Sequence, residues 1–343
     1  MIRGHQGTVL DFDFYPFNED IVATSSDDTK LRLWQIPSEF KEDLLEPTAV
    51  LSGHQKKANL ITFNPSAQSI VASSSFDGTI KVWNVENQQC LNTLQSNDSF
   101  MSCEWNHDGS LIGTSNRDKK LRIGDARAPE WTAEIAGHSG PKTQKFNWLN
   151  GTPYIFTTGF NTSYEREFML WDHRKFDQAV QTSMIDNQSG TLYSHWDGDC
   201  NVLYVGGKGD GNIRYYELAD GQLHTLNQHT STTPAKGLGW VPKRCVDTTK
   251  NELARCIKLT NTTIEWVTFR ALRKSSVFQP DLYPDCISEE PALSADEWVG
   301  GKNAEPKRRS MAPDAAPSTG GSTSINVKSG NGNDEEVKKL QSQ

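Results

Sequence analysis

Apolar and polar residues alternate in short runs over most of the chain, and turn residues separate the runs. The clearest stretch runs from Leu60 to Leu94. Leu60 to Phe63 reads as a strand, and Asn64-Pro65-Ser66 as a turn, because proline presets φ and asparagine bonds its own backbone. Ser69 to Ser74 is the next strand. Asp77-Gly78 is a hairpin signal, since glycine takes positive φ without steric cost. From Thr79 to Val85 the alternation puts Ile80, Val82 and Asn84 on one face and Lys81, Trp83 and Val85 on the other. Cys90 to Leu94 completes the unit as an outer strand.

The unit repeats. Gly4-His5, Gly53-His54 and Gly137-His138 each open a segment that closes on a tryptophan-bearing strand, at Trp34, Trp83 and Trp171. Trp34 and Trp83 lie 49 residues apart, Trp83 and Gly124 41, and Gly124 and Trp171 47, glycine standing where the third tryptophan is expected. A period of roughly 40–50 residues with Gly-His at one end and Trp-Asp at the other resembles the WD40 repeat. The expected fold is all-β, a WD40 β-propeller, an architecture better suited to binding than to catalysis. Asp28, Asp77, Asp118 and Asp210 each precede the tryptophan position by six residues. In WD40 repeats the matching aspartate is tied to the Gly-His histidine. His5, Asp28, Trp34, His54, Asp77, Trp83, Asp118, His138, Trp171 and Asp210 are therefore read as structural positions. A pair that recurs in several units links turn to blade, whereas a catalytic pair would occur once. The third unit lacks Gly-His, the fifth has Tyr216 for tryptophan, and beyond residue 230 the repeat fades, with strands still readable at 237–241, 253–258 and 264–269.

Composition narrows the function. A net charge of −8 over 343 residues argues against a nucleic-acid or membrane binder, whose footprint is basic. Cys90, Cys103, Cys200, Cys245, Cys256 and Cys286 are scattered, with no C-x-x-C pair and no zinc spacing, so no metal and no cofactor are expected. No leader or membrane-length run is present, and a reduced cytosolic protein is the simplest reading. No G-x-S-x-G, H-E-x-x-H or Walker loop appears, and no enzymatic activity is expected. Gly206 to Gly211 reads as a hairpin turn, not a phosphate loop, because a strand follows it. Cys103 reads as a small core residue, and Trp131, Trp196 and Trp240, off the closing-strand position, as packing residues. Residues 305–343 read as a disordered linker, with Lys307-Arg308-Arg309 a solvated cluster.

More specific stretches resemble the coronin family. They include Trp34-Gln35-Ile36-Pro37, Asn116-Arg117-Asp118-Lys119-Lys120, Thr157-Thr158-Gly159-Phe160 and Ile213-Arg214-Tyr215-Tyr216-Glu217. The most specific are Pro242-Lys243-Arg244, Phe278 to Pro284 and Pro291 to Trp298. The resemblance covers residues 4 to about 303. It implies a propeller at 1–275, seven-bladed in the family and here about six blades or incomplete. It also implies a C-terminal extension at 276–304 packed on the propeller. Coronins carry a basic N-terminal segment and most of a blade before the first Gly-His, and they end in a coiled coil; here only Glu335 to Leu340 hints at the latter. The chain thus reads as truncated, and an unclosed propeller with raw strand edges is an expectation. The resemblance further implies a cytoplasmic regulator that binds actin filaments and engages the Arp2/3 complex, with oligomerisation only through a longer coiled coil. A general interaction scaffold is the alternative. Residues 236–274 hold nine basic residues against three acidic ones, and Lys243, Arg244, Arg270, Arg273 and Lys274 are the expected filament-facing residues.

Overall fold

The structure is a computed structural model that describes residues 1–39, 42–273, 277–313, 323–325 and 327. Six antiparallel sheets follow one another along the chain: residues 9–51, 58–95, 100–136, 145–186, 192–229 and 237–270. The first five are four-stranded meanders and the sixth has three strands among the described residues. They are the blades of a propeller, here numbered 1 to 6.

Blade 2 shows why the sequence folds this way. Its strands are Ala58–Phe63, Ile70–Ser75, Thr79–Asn84 and Gln89–Gln95. The third strand alternates, yet both of its faces are buried. Trp83 joins Val71, Phe63 and Val85 in a cluster shared with Tyr15, Leu33 and Ala49 of blade 1. Ile80 and Val82 join Ile70 and Leu94 in a second cluster shared with Phe100, Trp105 and Ile112 of blade 3. Blade 2 therefore has no solvent face on this strand; it is apolar on both sides because a neighbouring blade covers each. The turn between the second and third strands needs positive φ, which Gly78 supplies at 82°. A Cβ there would lie 2.7 Å from the Ser96 carbonyl oxygen. Thr29 and Lys119 take the same left-handed conformation in blades 1 and 3.

Blade 3 compensates for its missing tryptophan. Gly124 pairs across the sheet with Trp131, whose ring occupies the space over the glycine. Trp131 thus packs in the core, as do Trp196, against the blade 4–5 cluster, and Trp240, stacked on His195 at 4.5 Å.

The extension crosses the propeller. Ser294 and Glu297 form a capping box that starts the short helix Ala295–Val299. Trp298 is buried edge-on against Trp105, and its indole N–H donates to the Gly109 carbonyl at 2.8 Å. Leu293 bridges to Ala67 of blade 2. The order does not stop at residue 304. Cys286–Ile287 pairs with Arg308–Arg309 as a two-stranded ribbon. Arg308 binds Asp199 of blade 5, and Arg309 binds Glu289 at 3.1 Å. Ile325 is buried in the blade 1–2 cluster. The linker expected at 305–343 is thus corrected for residues 305–313 and for Ile325, because carboxylates and an apolar site on the propeller hold them. Glu335 to Leu340 lie outside the described residues.

Blade 6 meets blade 1 through an ion pair from Arg244 to Glu19. Its outer strand, Ile264–Arg270, has one edge without a partner strand among the described residues, and Ile264 and Trp266 on it are exposed. Phe12 and Phe14 of blade 1 are exposed as well.

Candidate functional site

The repeated histidines, aspartates and tryptophans form closed networks. In blade 2 the Trp83 indole N–H donates to the Ser73 hydroxyl at 2.9 Å. That hydroxyl lies 2.8 Å from His54 Nε2, and His54 Nδ1 lies 3.1 Å from Asp77. Burial lowers the His54 pKa. A neutral ring with its proton on Nδ1 satisfies both contacts: it donates to Asp77 and accepts from Ser73. Asp77 also accepts backbone N–H bonds from Gln55 and Thr79, which close the turn. Blade 1 repeats the network with His5, Asp28, Thr24 and Trp34. In blade 4 His138 instead binds Glu167 at 2.9 Å, with Thr157 linking it to Trp171.

Where Gly-His is absent, arginine takes over. Asp118 pairs with Arg122, which also binds Glu134 at 2.7 Å. Asp210 pairs with Arg166 of blade 4 at 2.7 Å, and Arg166, fully buried, also binds Asp186 at 2.6 Å. The histidine partner that the family pattern suggests for Asp118 and Asp210 is thus replaced by a guanidinium, which satisfies a buried carboxylate with two forked donors. All these groups are consumed in holding turns to blades.

The inner strands surround a cavity of about 380 Å³ lined by Asp11, Asp13, Cys103, Glu104 and Lys145, among others. Asp13 accepts the Phe63 N–H at 2.9 Å and Asp11 the Ile61 N–H at 3.1 Å. These carboxylates satisfy donors on the inner edge of blade 2 that no strand pairs. Burial, with the nearby Asp11 charge, pushes Asp13 up to about 7. Burial, with Asp13 close by, pushes Glu104 up to about 8. Burial also raises the Cys103 thiol pKa, which leaves it a poor nucleophile. Among the described residues no group of three or more His, Cys, Asp or Glu side chains is placed to hold a metal ion.

The five expected filament-facing cations do not form one surface. Lys243 is inside: its ammonium binds Asp197 at 2.6 Å and the Leu253 carbonyl at 2.8 Å, and 13% of the side chain is exposed. Burial works against its charge, but Asp197 outweighs it and raises the pKa. Arg244, also 13% exposed, binds Glu289 at 2.8 Å as well as Glu19, and joins blade 6 to the extension and to blade 1. Arg270 and Arg273 are exposed, the latter paired with Asp281 at 2.8 Å. Lys274 lies outside the described residues.

Comparison with known proteins places this geometry. The WD domain G-beta repeat model matches residues 1–35, and a further type of WD40 repeat matches 264–306. The model described as eukaryotic translation initiation factor eIF2A matches residues 40–129. Coronin-A of Dictyostelium discoideum is 46% identical over 91% of this chain and 71% of its own length. The chain belongs to the coronin family. The coronin-like proteins of Schizosaccharomyces pombe and Saccharomyces cerevisiae are 35% and 37% identical, and the chain spans 52% and 49% of their lengths. The crystal structure of the WD40 domain from Toxoplasma gondii coronin superposes with a TM-score of 0.88 at 38% identity, covering 91% of this chain and 82% of that one. The coronin propeller expected from the sequence is the one found. No helix among the described residues is long and apolar enough to cross a membrane.

Proposed function

We propose that this coronin binds actin filaments through a face of its propeller and influences their organisation and turnover at the cytoplasmic cytoskeleton. The relationship to coronins over 91% of the chain carries the reading. The role is one of binding: the recurrent His, Asp and Trp positions are used up in turn-to-blade networks. Of the five expected cations, Arg270 and Arg273 keep their guanidinium groups at the surface, and they are the filament-facing pair in this proposal.

Co-sedimentation with filaments at two salt concentrations tests it, with circular dichroism to confirm folding. The wild-type chain should pellet with filaments, less at high salt, because rim charges act through screened attraction. Arg270→Glu with Arg273→Glu should weaken binding about tenfold at low salt, mainly through the association rate. A folded wild-type chain left in the supernatant would refute filament binding by these residues of the chain. Equal pelleting of the double variant would remove Arg270 and Arg273 from the contact.

A further inference from the structure

The turns that carry the Gly-His and Asp residues share one face of the propeller. At the boundary of blades 3 and 4 this face holds a cavity of about 290 Å³, whose lining includes Asn116, Arg117, Lys119, Pro141, Lys142 and Gln144. Arg117 and Lys119 flank Asp118 on the blade 3 turn, and Lys142 comes from the loop leading into blade 4. Among the described residues no carboxylate pairs with any of these three cations. The acids nearest in sequence are engaged elsewhere: Asp118 with Arg122, Asp125 with Arg127, and Glu134 with Arg122. On a chain of net charge −8, three uncompensated cations around one concavity stand out.

The walls are also set in advance. Lys119 Nζ donates to the Ser139 carbonyl at 2.8 Å. Lys142 Nζ donates to the Ser189 carbonyl at 3.2 Å and sits 4.4 Å from the centre of the Phe160 ring. The Asn116 amide donates to the Ser96 hydroxyl, and the Gln144 side-chain Oε1 accepts the His138 N–H. Two of the cationic arms are therefore held by neutral partners that leave their charge unneutralised. A ligand entering here meets charge already in place, with little ordering left to do.

We infer that this cavity is a docking site for an acidic segment of a protein partner, with Arg117, Lys119 and Lys142 receiving its carboxylates. The distribution of charge favours a peptide over a phosphate group. Single-phosphate recognition gathers forked arginines or backbone N–H groups about one centre, whereas here one arginine and two lysines come from loops of two different blades. Carboxylates spaced along an extended chain match that layout. The site lies apart from Arg270, which ends its strand away from the blade 6 turn at 260–263. The inference therefore stands whether or not Arg270 and Arg273 face a filament.

The test is fluorescence anisotropy of a dye-labelled peptide of mixed aspartate and glutamate with the full chain, without actin. Binding should weaken with salt, and Arg117→Glu with Lys119→Glu should lower affinity at least about tenfold, as expected for reversed charge in a contact. Lys208→Glu, on the equivalent turn of blade 5, should leave binding unchanged. Thermal melts show that each variant is folded. No binding by the wild-type chain, equal binding by the double variant, or equal loss in Lys208→Glu overturns the proposal. Competition by inorganic phosphate, or by phosphoinositide vesicles, at lower concentration than by unlabelled peptide would overturn the peptide assignment.

Discussion

A single hydroxyl in each of blades 1, 2 and 4 decides where the closing tryptophan sits. Thr24, Ser73 and Thr157 each take an indole N–H and each touch a histidine Nε2. The histidine and tryptophan ends of this network were legible from their spacing, as was the aspartate end in blades 1 and 2. The hydroxyl was not, because Ser73 stands in a run of three buried serines and only its side facing His54 and Trp83 singles it out. His54→Ala should remove one partner from Ser73 and one from Asp77 in a buried site. The expected loss is about 3 kcal/mol, read as a lower urea midpoint with an unchanged slope. Lys243 marks the opposite limit of reading by residue type. A local excess of basic residues suggested surface, but its partner Asp197 lies 46 positions away in the chain, and no local count contains it. Asp118 and Asp210 sit at the expected spacing, yet their arginine partners follow no Gly-His rule.

The strands were readable because alternation survives where both faces are buried; only the choice of residue changes. The extension was readable as a family feature, and its path was not. Its grip rests on Trp298, which fills a site between Trp105 and the Arg127 guanidinium, 5.3 Å from its ring centre, and bonds the Gly109 carbonyl. Trp298→Ala removes this anchor and leaves a cavity, at a cost of about 4 kcal/mol. Limited proteolysis should then cut between residues 277 and 313 faster than in the wild-type chain, while blades 4 and 5 stay intact. The ordered stretch 305–313 escaped the sequence because its composition is that of a linker. Arg308 and Arg309 are fixed by Asp199 and Glu289, which composition does not report.

Across the whole molecule, the central cavity gathers carboxylates from blades that are distant in sequence. Asp13 and Glu104 hold their protons more tightly in the folded state, with pKa values of about 7 and about 8. Their contribution to stability is complete below their unfolded pKa, near about 4, and is lost as pH rises through those folded values. The melting temperature should therefore fall from about pH 4 to about pH 8 and level off above that, and Asp13→Asn with Glu104→Gln should flatten that slope. A slope unchanged in the double variant would place the titration elsewhere. The extension has a consequence on the same scale. Arrays of repeats come apart unit by unit, starting from an end, because each unit leans on its neighbours alone. Here Ser66 of blade 2 bonds the Ala304 carbonyl across 238 positions, Arg308 reaches blade 5, and Ile325 inserts beside blade 1. No outer blade peels away until that girdle lifts. A protease or a pulling force meets one object, which yields late and all at once.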